Sequence, residues 1–116
     1  MAYVDGVVFA VANARKDEFV AHAKRLAALF KRHGATEVVD CWGTDVPDGD
    51  VTSFPMAVKK ADDETVVFSW IVWPSKQARD TAWDTVMADA EMNTAMEVMP
   101  FDGKRMIYGG FEVVSS

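Results

Sequence analysis

The ten residues 64–73, Glu-Thr-Val-Val-Phe-Ser-Trp-Ile-Val-Trp, constrain the fold of this chain more than any other stretch. Val, Ile, Phe and Trp follow one another without helical spacing, and Pro74 ends the run, so it reads as a strand. Successive strand residues point to opposite sides of a sheet. Val66, Phe68, Trp70 and Val72 therefore share one side, and Thr65, Val67, Ser69, Ile71 and Trp73 the other. Residues 3–12 read the same way, with Tyr3, Val7, Phe9 and Val11 opposing Val4, Val8 and Ala10. Both faces are apolar. A solvated face reads polar, so a sheet built on these strands needs a cover on each side.

The rest of the chain supplies helices for one cover. After Asn13, the acidic pair Asp17-Glu18 marks a helix start. Phe19, Ala23, Leu26, Ala27 and Phe30 then recur at helical spacing. Lys31, Arg32 and His33 complement the negative end of the helix dipole, and Gly34 suits the left-handed residue that closes a helix. Residues 36–43 read as a second strand and 45–50 as turn chemistry. Residues 56–60 are expected to form a hairpin arm paired with 64–73 across Ala61-Asp62-Asp63. Ser75 is an N-cap for a second helix with Ala78, Ala82, Val86 and Met87 on one face. Met92, Ala95, Met96 and Met99 form a shorter helical patch, stopped by Pro100. Residues 106–114 form the last strand. The order strand, helix, strand, hairpin and strand, helix, strand is the ferredoxin-like α+β arrangement, with an antiparallel sheet.

At 116 residues the chain has room for one domain, expected to span 1–116. Helices take one sheet face and little chain remains for the other, so a second copy, packed face to face, is the expected cover. The competing reading is that residues 44–60 and the Met-rich patch fold over that face within one subunit.

Charge and composition exclude several function classes. A net charge of −6, with basic residues scattered, disfavours nucleic acid as a partner, because phosphate binding needs clustered Lys and Arg. The longest uncharged apolar run, 65–74, is about half of the ~20 residues a membrane span needs. One cysteine, Cys41, excludes an internal disulfide, and a cytoplasmic protein is expected. No metal or cofactor is expected. His22 reads as lying on the polar side of the first helix, and His33 is explained by the helix dipole. Asp45, Asp48 and Asp50 do not have EF-hand spacing. Gly103, Gly109 and Gly110 match no phosphate-binding loop, and Gly109-Gly110 reads instead as a bulge or a close approach of backbone or ligand.

The residues that stand out are polar ones inside apolar strands: Asp5, Asp40 and Ser69, with Tyr108 on the last strand. With Ile107, Phe111 and Val113 turned to the helices, Met106, Tyr108, Glu112 and Asp5 would face the opposite surface. A buried carboxylate needs a partner, and Arg105 and Lys104 are the nearest in the chain to the last strand. Two readings follow. Asp5, Asp40, Ser69, Trp70, Arg105 and Tyr108 line a pocket for a small organic molecule, with Asp5 or Asp40 as acid or base. Alternatively, they form structural salt bridges at a dimer seam with no ligand and no catalysis.

Several blocks carry a resemblance. They are Tyr3-Val4-Asp5-Gly6, Asp45-Val46-Pro47-Asp48-Gly49, Thr52-Ser53-Phe54-Pro55, Val66-Val67-Phe68-Ser69-Trp70-Ile71, Trp73-Pro74-Ser75-Lys76 and the run from Met99-Pro100-Phe101-Asp102-Gly103-Lys104 through Tyr108-Gly109-Gly110-Phe111. Through these blocks the chain resembles the YbaA-like bacterial proteins, a family of unknown function within the dimeric α+β barrel superfamily. The resemblance implies a ferredoxin-like subunit whose sheet faces that of a partner, and it implies no particular activity. The superfamily includes cofactor-free monooxygenases, haem-degrading enzymes, isomerases and stress-response proteins, so the fold leaves the function open. The His that the haem-degrading pattern places on the second helix is missing here. An RNA-linked label carried by some relatives finds no support in the acidic charge.

Overall fold

A computed structural model describes residues 2–116. Four strands, β1 (Tyr3–Ala12), β2 (Glu37–Trp42), β3 (Glu64–Trp73) and β4 (Ile107–Glu112), form one antiparallel sheet in the order β2-β3-β1-β4. The helices are α1 (Lys16–Arg32), a one-turn α2 (Phe54–Ala57), α3 (Lys76–Ala88) and α4 (Ala90–Glu97). This is the ferredoxin-like α+β fold expected from the element order.

The register decides which side chains share a face. Tyr3, Asp5, Val7, Phe9 and Val11 of β1 stand beside Trp73, Ile71, Ser69, Val67 and Thr65 of β3. This is the helix-covered side. Phe9, Val11 and Val67 pack with Phe19 of α1, and Ile71 and Trp73 pack with Leu29, Phe30, Ala82, Val86 and Met92. The alternate residues, Val4, Val8, Ala10, Val66, Phe68, Trp70 and Val72, face away from these helices.

Three expectations need correction. Residues 56–60 are not a hairpin arm. Ser53 extends and caps α2 by accepting from the Met56 N–H at 3.1 Å, with Pro55 in the first turn, so local capping and proline geometry override strand pairing. This segment crosses the helix-free face at one end, where fully buried Val58 plugs against Val8, Ala10 and Val66 and Phe54 meets Phe68 edge-on at 5.9 Å. Part of that face is thus covered from within the chain. The Met-rich helix, by contrast, lies on the other side, with Met92 in the main core.

The second correction concerns β4. Val4 pairs with Phe111 and Val8 with Ile107, so these aromatic and aliphatic residues lie on the helix-free face. Tyr108 and Glu112 share the helix side with Val7 and Tyr3, and Met106 packs against the Phe9–Phe19 cluster. The third concerns Gly109-Gly110, which pairs in register with Gly6 and Asp5 without a bulge. A Cβ on Gly110 would come within 2.5 Å of the Tyr3 hydroxyl, so the glycine leaves room for that ring across the strands.

Candidate functional site

The six polar and aromatic residues singled out by sequence do not surround one space. Asp5, Asp40 and Ser69 point to the helix side, and Trp70 to the opposite face, where it meets Phe68 edge-on at 5.7 Å. Arg105 sits on a 3-10 turn before β4, and Tyr108 on the edge strand is 77% exposed. A polar pocket between two facing sheets is therefore not what these residues build.

Asp5 is 6% exposed and saturated with donors. Its Oδ2 accepts the indole N–H of Trp73 at 2.8 Å and of Trp83 at 3.1 Å. Arg79 of α3 adds Nη2 to Oδ1 at 2.7 Å and Nε to both oxygens at 3.1 and 3.2 Å. Asp5 in turn raises the Arg79 pKa further above its already high value, chiefly through this hydrogen bonding. The guanidinium also lies over the Tyr3 ring, 5.4 Å from its centroid. Charge, the fork geometry of Arg79 and the Trp83 indole hold α3 to the sheet, Trp73 of β3 adds a second indole donor, and no lone pair is left pointing at open space. The partner expected from the chain, Lys104-Arg105, is not involved.

Arg105 makes a clasp of its own. Nη1 and Nη2 meet Glu64 Oε1 and Oε2 at 2.8 Å each, Nε meets Asp102 at 3.1 Å, and Nη1 also donates to the Lys59 carbonyl at 2.9 Å. Lys59 takes a left-handed φ of 50°, at the point where the crossing segment turns toward β3. The Arg105 hydrogen bond, first among the causes, lowers the Glu64 pKa to about 2. The clasp fixes the strap of residues 44–60 to the turn before β4.

Asp40 and Ser69 differ from both. They are register partners on β2 and β3, and buried Ser69 donates its Oγ–H to Asp40 Oδ1 at 2.6 Å. Asp40 belongs to an edge strand and is exposed as a residue. The protein packed about its carboxyl pushes its pKa upward by desolvation, and the Ser69 bond and the charge of His22 offset this only in part. His22 does not lie on a purely polar face. Its Nε2 reaches the Ala95 carbonyl of α4 at 2.8 Å, on the helix-covered side. Its spacing of three from Phe19 and four from Leu26, on the border of the apolar stripe, was the available signal. Arg79 and Trp83 border the Ala82–Val86 stripe of α3 in the same way. The chemistry available at Asp40 is proton transfer, by a carboxyl with one neutral hydrogen-bond donor, an imidazole close by and solvent access.

Comparison with known proteins places this geometry. Residues 2–103 match the family model described as "Protein of unknown function (DUF1428)". The uncharacterized protein YbaA of Escherichia coli K12 is 55% identical over 114 residues, covering 98% of this chain and 97% of YbaA, and YbaA of Shigella flexneri matches equally. Two solved structures share the fold at low identity. SnoaB, a cofactor-independent oxygenase from Streptomyces nogalater, has a TM-score of 0.63 at 15% identity, covering 99% of this chain and 95% of SnoaB. The monooxygenase from ActVA-Orf6 of Streptomyces coelicolor, solved in complex with nanaomycin D, has a TM-score of 0.61 at 17% identity, covering 99% and 89%. By sequence along nearly its whole length, this chain belongs to the DUF1428 family of YbaA-like proteins.

Proposed function

We propose that this protein is a cytoplasmic homodimer that binds a small organic molecule against the helix-facing side of its sheet and acts on it by proton transfer at Asp40. The observation that carries the reading is the Asp40–Ser69 pair: a reachable carboxyl, raised in pKa, oriented by a 2.6 Å hydrogen bond and flanked by His22. Ser69 holds the carboxyl and Asp40 exchanges the proton. SnoaB, a cofactor-independent oxygenase of the same fold, supports by analogy an enzyme that works without a cofactor. The single cysteine and acidic balance fit a cytoplasmic setting.

The homodimer rests on the helix-free face. Beyond the patch under Val58 it carries Trp70, Val72, Val4 and Val39, with Phe68 43% and Phe111 60% exposed. A second copy with the same face is self-complementary. Sedimentation equilibrium should show a dimer that Trp70→Asp dissociates; a monomeric wild type at micromolar concentration defeats this part of the proposal.

For the site, nanaomycin D serves as the first probe in an NMR titration, with native mass spectrometry of the purified protein beside it. Amide shifts around Asp40 and Ser69, or a bound metabolite lost in Asp40→Asn, are expected. No shift there and no bound molecule overturn the site. That result favours the second reading, a non-catalytic dimer, for which one observation also speaks: among the described residues every buried side-chain nitrogen and oxygen already has a hydrogen-bond partner.

A further inference from the structure

The joint between α3 and α4 has no loop. Asp89 alone separates Ala88 from Ala90 and serves both helices. Its N–H donates to the Val86 carbonyl at 3.1 Å, and its Oδ1 accepts from the N–H groups of Glu91 and Met92 at 2.9 and 3.3 Å. Its other oxygen faces the end of α1. Oδ2 lies 2.7 Å from His33 Nε2 and 2.8 Å from Arg32 Nη2. His33 is brought there by the way α1 stops, with Gly34 at a left-handed φ of 112° turning the chain. One carboxylate therefore ties three helices together.

The remaining contacts of His33 set which protons its ring can share. Its Nδ1 lies 2.9 Å from Thr85 Oγ1, and Thr85 Oγ1 lies 2.8 Å from the Ala82 carbonyl. A carbonyl only accepts, so the Thr85 proton goes to Ala82, and Thr85 accepts from Nδ1–H. Nε2 must donate to the Asp89 carboxylate. The imidazolium, with a proton on each ring nitrogen, satisfies both contacts at once. A neutral ring has one N–H: it either keeps Asp89 and draws the Thr85 hydroxyl away from Ala82, or keeps Thr85 and turns a lone pair toward Asp89.

Charged groups from these helices gather at the joint. Asp89 from the α3–α4 joint and Glu91 from α4 are negative; among the described residues, Arg32 from α1 is the guanidinium paired with both, at 2.8 Å. Two carboxylates against one guanidinium leave a negative charge that the imidazolium neutralises. Asp89 stays ionised throughout, because the hydrogen bonds from His33 and then Arg32 hold it far below the usual carboxylate range. His33 is mostly buried, but it forms one wall of an open groove of about 480 Å³ along α3, floored by Ser75, Ala78, Thr81 and Thr85, through which water and protons reach it.

We propose that His33 is a proton-sensitive latch: its imidazolium, bridging Thr85 and Asp89, pins the α3–α4 joint to the end of α1, and loss of the proton slackens that joint and moves α4. The latch reaches the candidate site because α4 carries the Ala95 carbonyl that holds His22. That last link rests on the function proposed above, whereas the latch itself does not.

The test is NMR of the intact protein with assigned His33 and His22 ring resonances and α4 amides, titrated from about pH 5 to 8, where imidazole changes charge. The amides of Met92 through Glu97 are expected to move with the His33 midpoint and not with that of His22. His33→Gln should abolish the movement. Thr85→Val, which keeps the Asp89 pair and the fold, should leave α4 responsive but with a displaced midpoint. Amides of α4 that ignore the His33 titration overturn the latch, as does an unchanged pH response in His33→Gln. If His33→Gln does not fold, an unchanged midpoint in Thr85→Val overturns it. Ligand shifts at Asp40 and Ser69 are read separately, so failure of the proposed function leaves this result standing.

Discussion

Asp5 and Asp40 are both strand aspartates, both on the helix side of one sheet, and they have opposite fates. Asp5 lies on central strand β1 under α3, where a guanidinium fork and two indole N–H groups surround it. Asp40 lies on edge strand β2 with a single hydroxyl donor. A carboxylate with every lone pair occupied by stiff, charged or aromatic donors is a structural anchor. One with an unsaturated shell and a desolvated carboxyl can exchange protons. Depth in the sheet and number of donors, rather than residue type, separate the anchored carboxylate from the one proposed for proton transfer.

The comparison breaks most visibly at Asp5. Asp5→Ala leaves the Arg79 charge and two indole N–H groups without their acceptor, and should cost about 3–5 kcal/mol in denaturant unfolding. A loss below about 1 kcal/mol would show the network to be dispensable and erase the contrast. Glu64 tests the intermediate case, a carboxylate with a bidentate arginine at the sheet end. Glu64→Gln should cost about 2 kcal/mol at neutral pH. Its pKa is lowered on folding from 4.5 to about 2, so the folded state binds its proton less tightly than the unfolded one. The contribution is then full above about pH 4.5 and disappears as pH falls toward 2, and the two proteins should converge in acid denaturation.

Asp40 should show the smallest effect on stability and the opposite sign. Its raised pKa means that ionisation works against folding, so its contribution is most favourable in acid and declines as pH rises through the folded pKa. Asp40→Asn keeps an acceptor for Ser69 and should leave thermal stability at neutral pH unchanged or up to about 1 kcal/mol higher. Any turnover found for the protein should nevertheless fall by roughly 10²–10⁴-fold in that variant. A variant as damaged in stability as Asp5→Ala would remove the distinction between the two carboxylates.

Much of this is legible in the sequence. The helical stripe from Phe19 to Phe30, the Ser75 cap, the Gly34 stop and the alternation along β1 and β3 are local patterns, set by periods of 3.6 and 2 that need no tertiary partner. Asp40 and Ser69 were visible as polar intrusions for the same reason. The two-faced apolar strands also announced that the sheet needs a second cover. Residues 56–60 read as strand because a β-branched residue beside two lysines fits one locally, whereas the Ser53 cap and Pro55 make a turn that sets Val58 over the face.

What the chain alone determined is which residues share a face within each strand, and that some of those residues are out of place. What only the tertiary structure decided is which face each set turns to, and who answers each charge. Alternation has a period but no sign, and with both faces apolar nothing in β4 distinguished Phe111 from Tyr108 until pairing with Val4 and Val7 set the register. Partners are chosen by space rather than sequence distance. Asp5 is therefore met by Arg79 and Trp83, more than 70 positions away, and His33 by Asp89, where three helices converge.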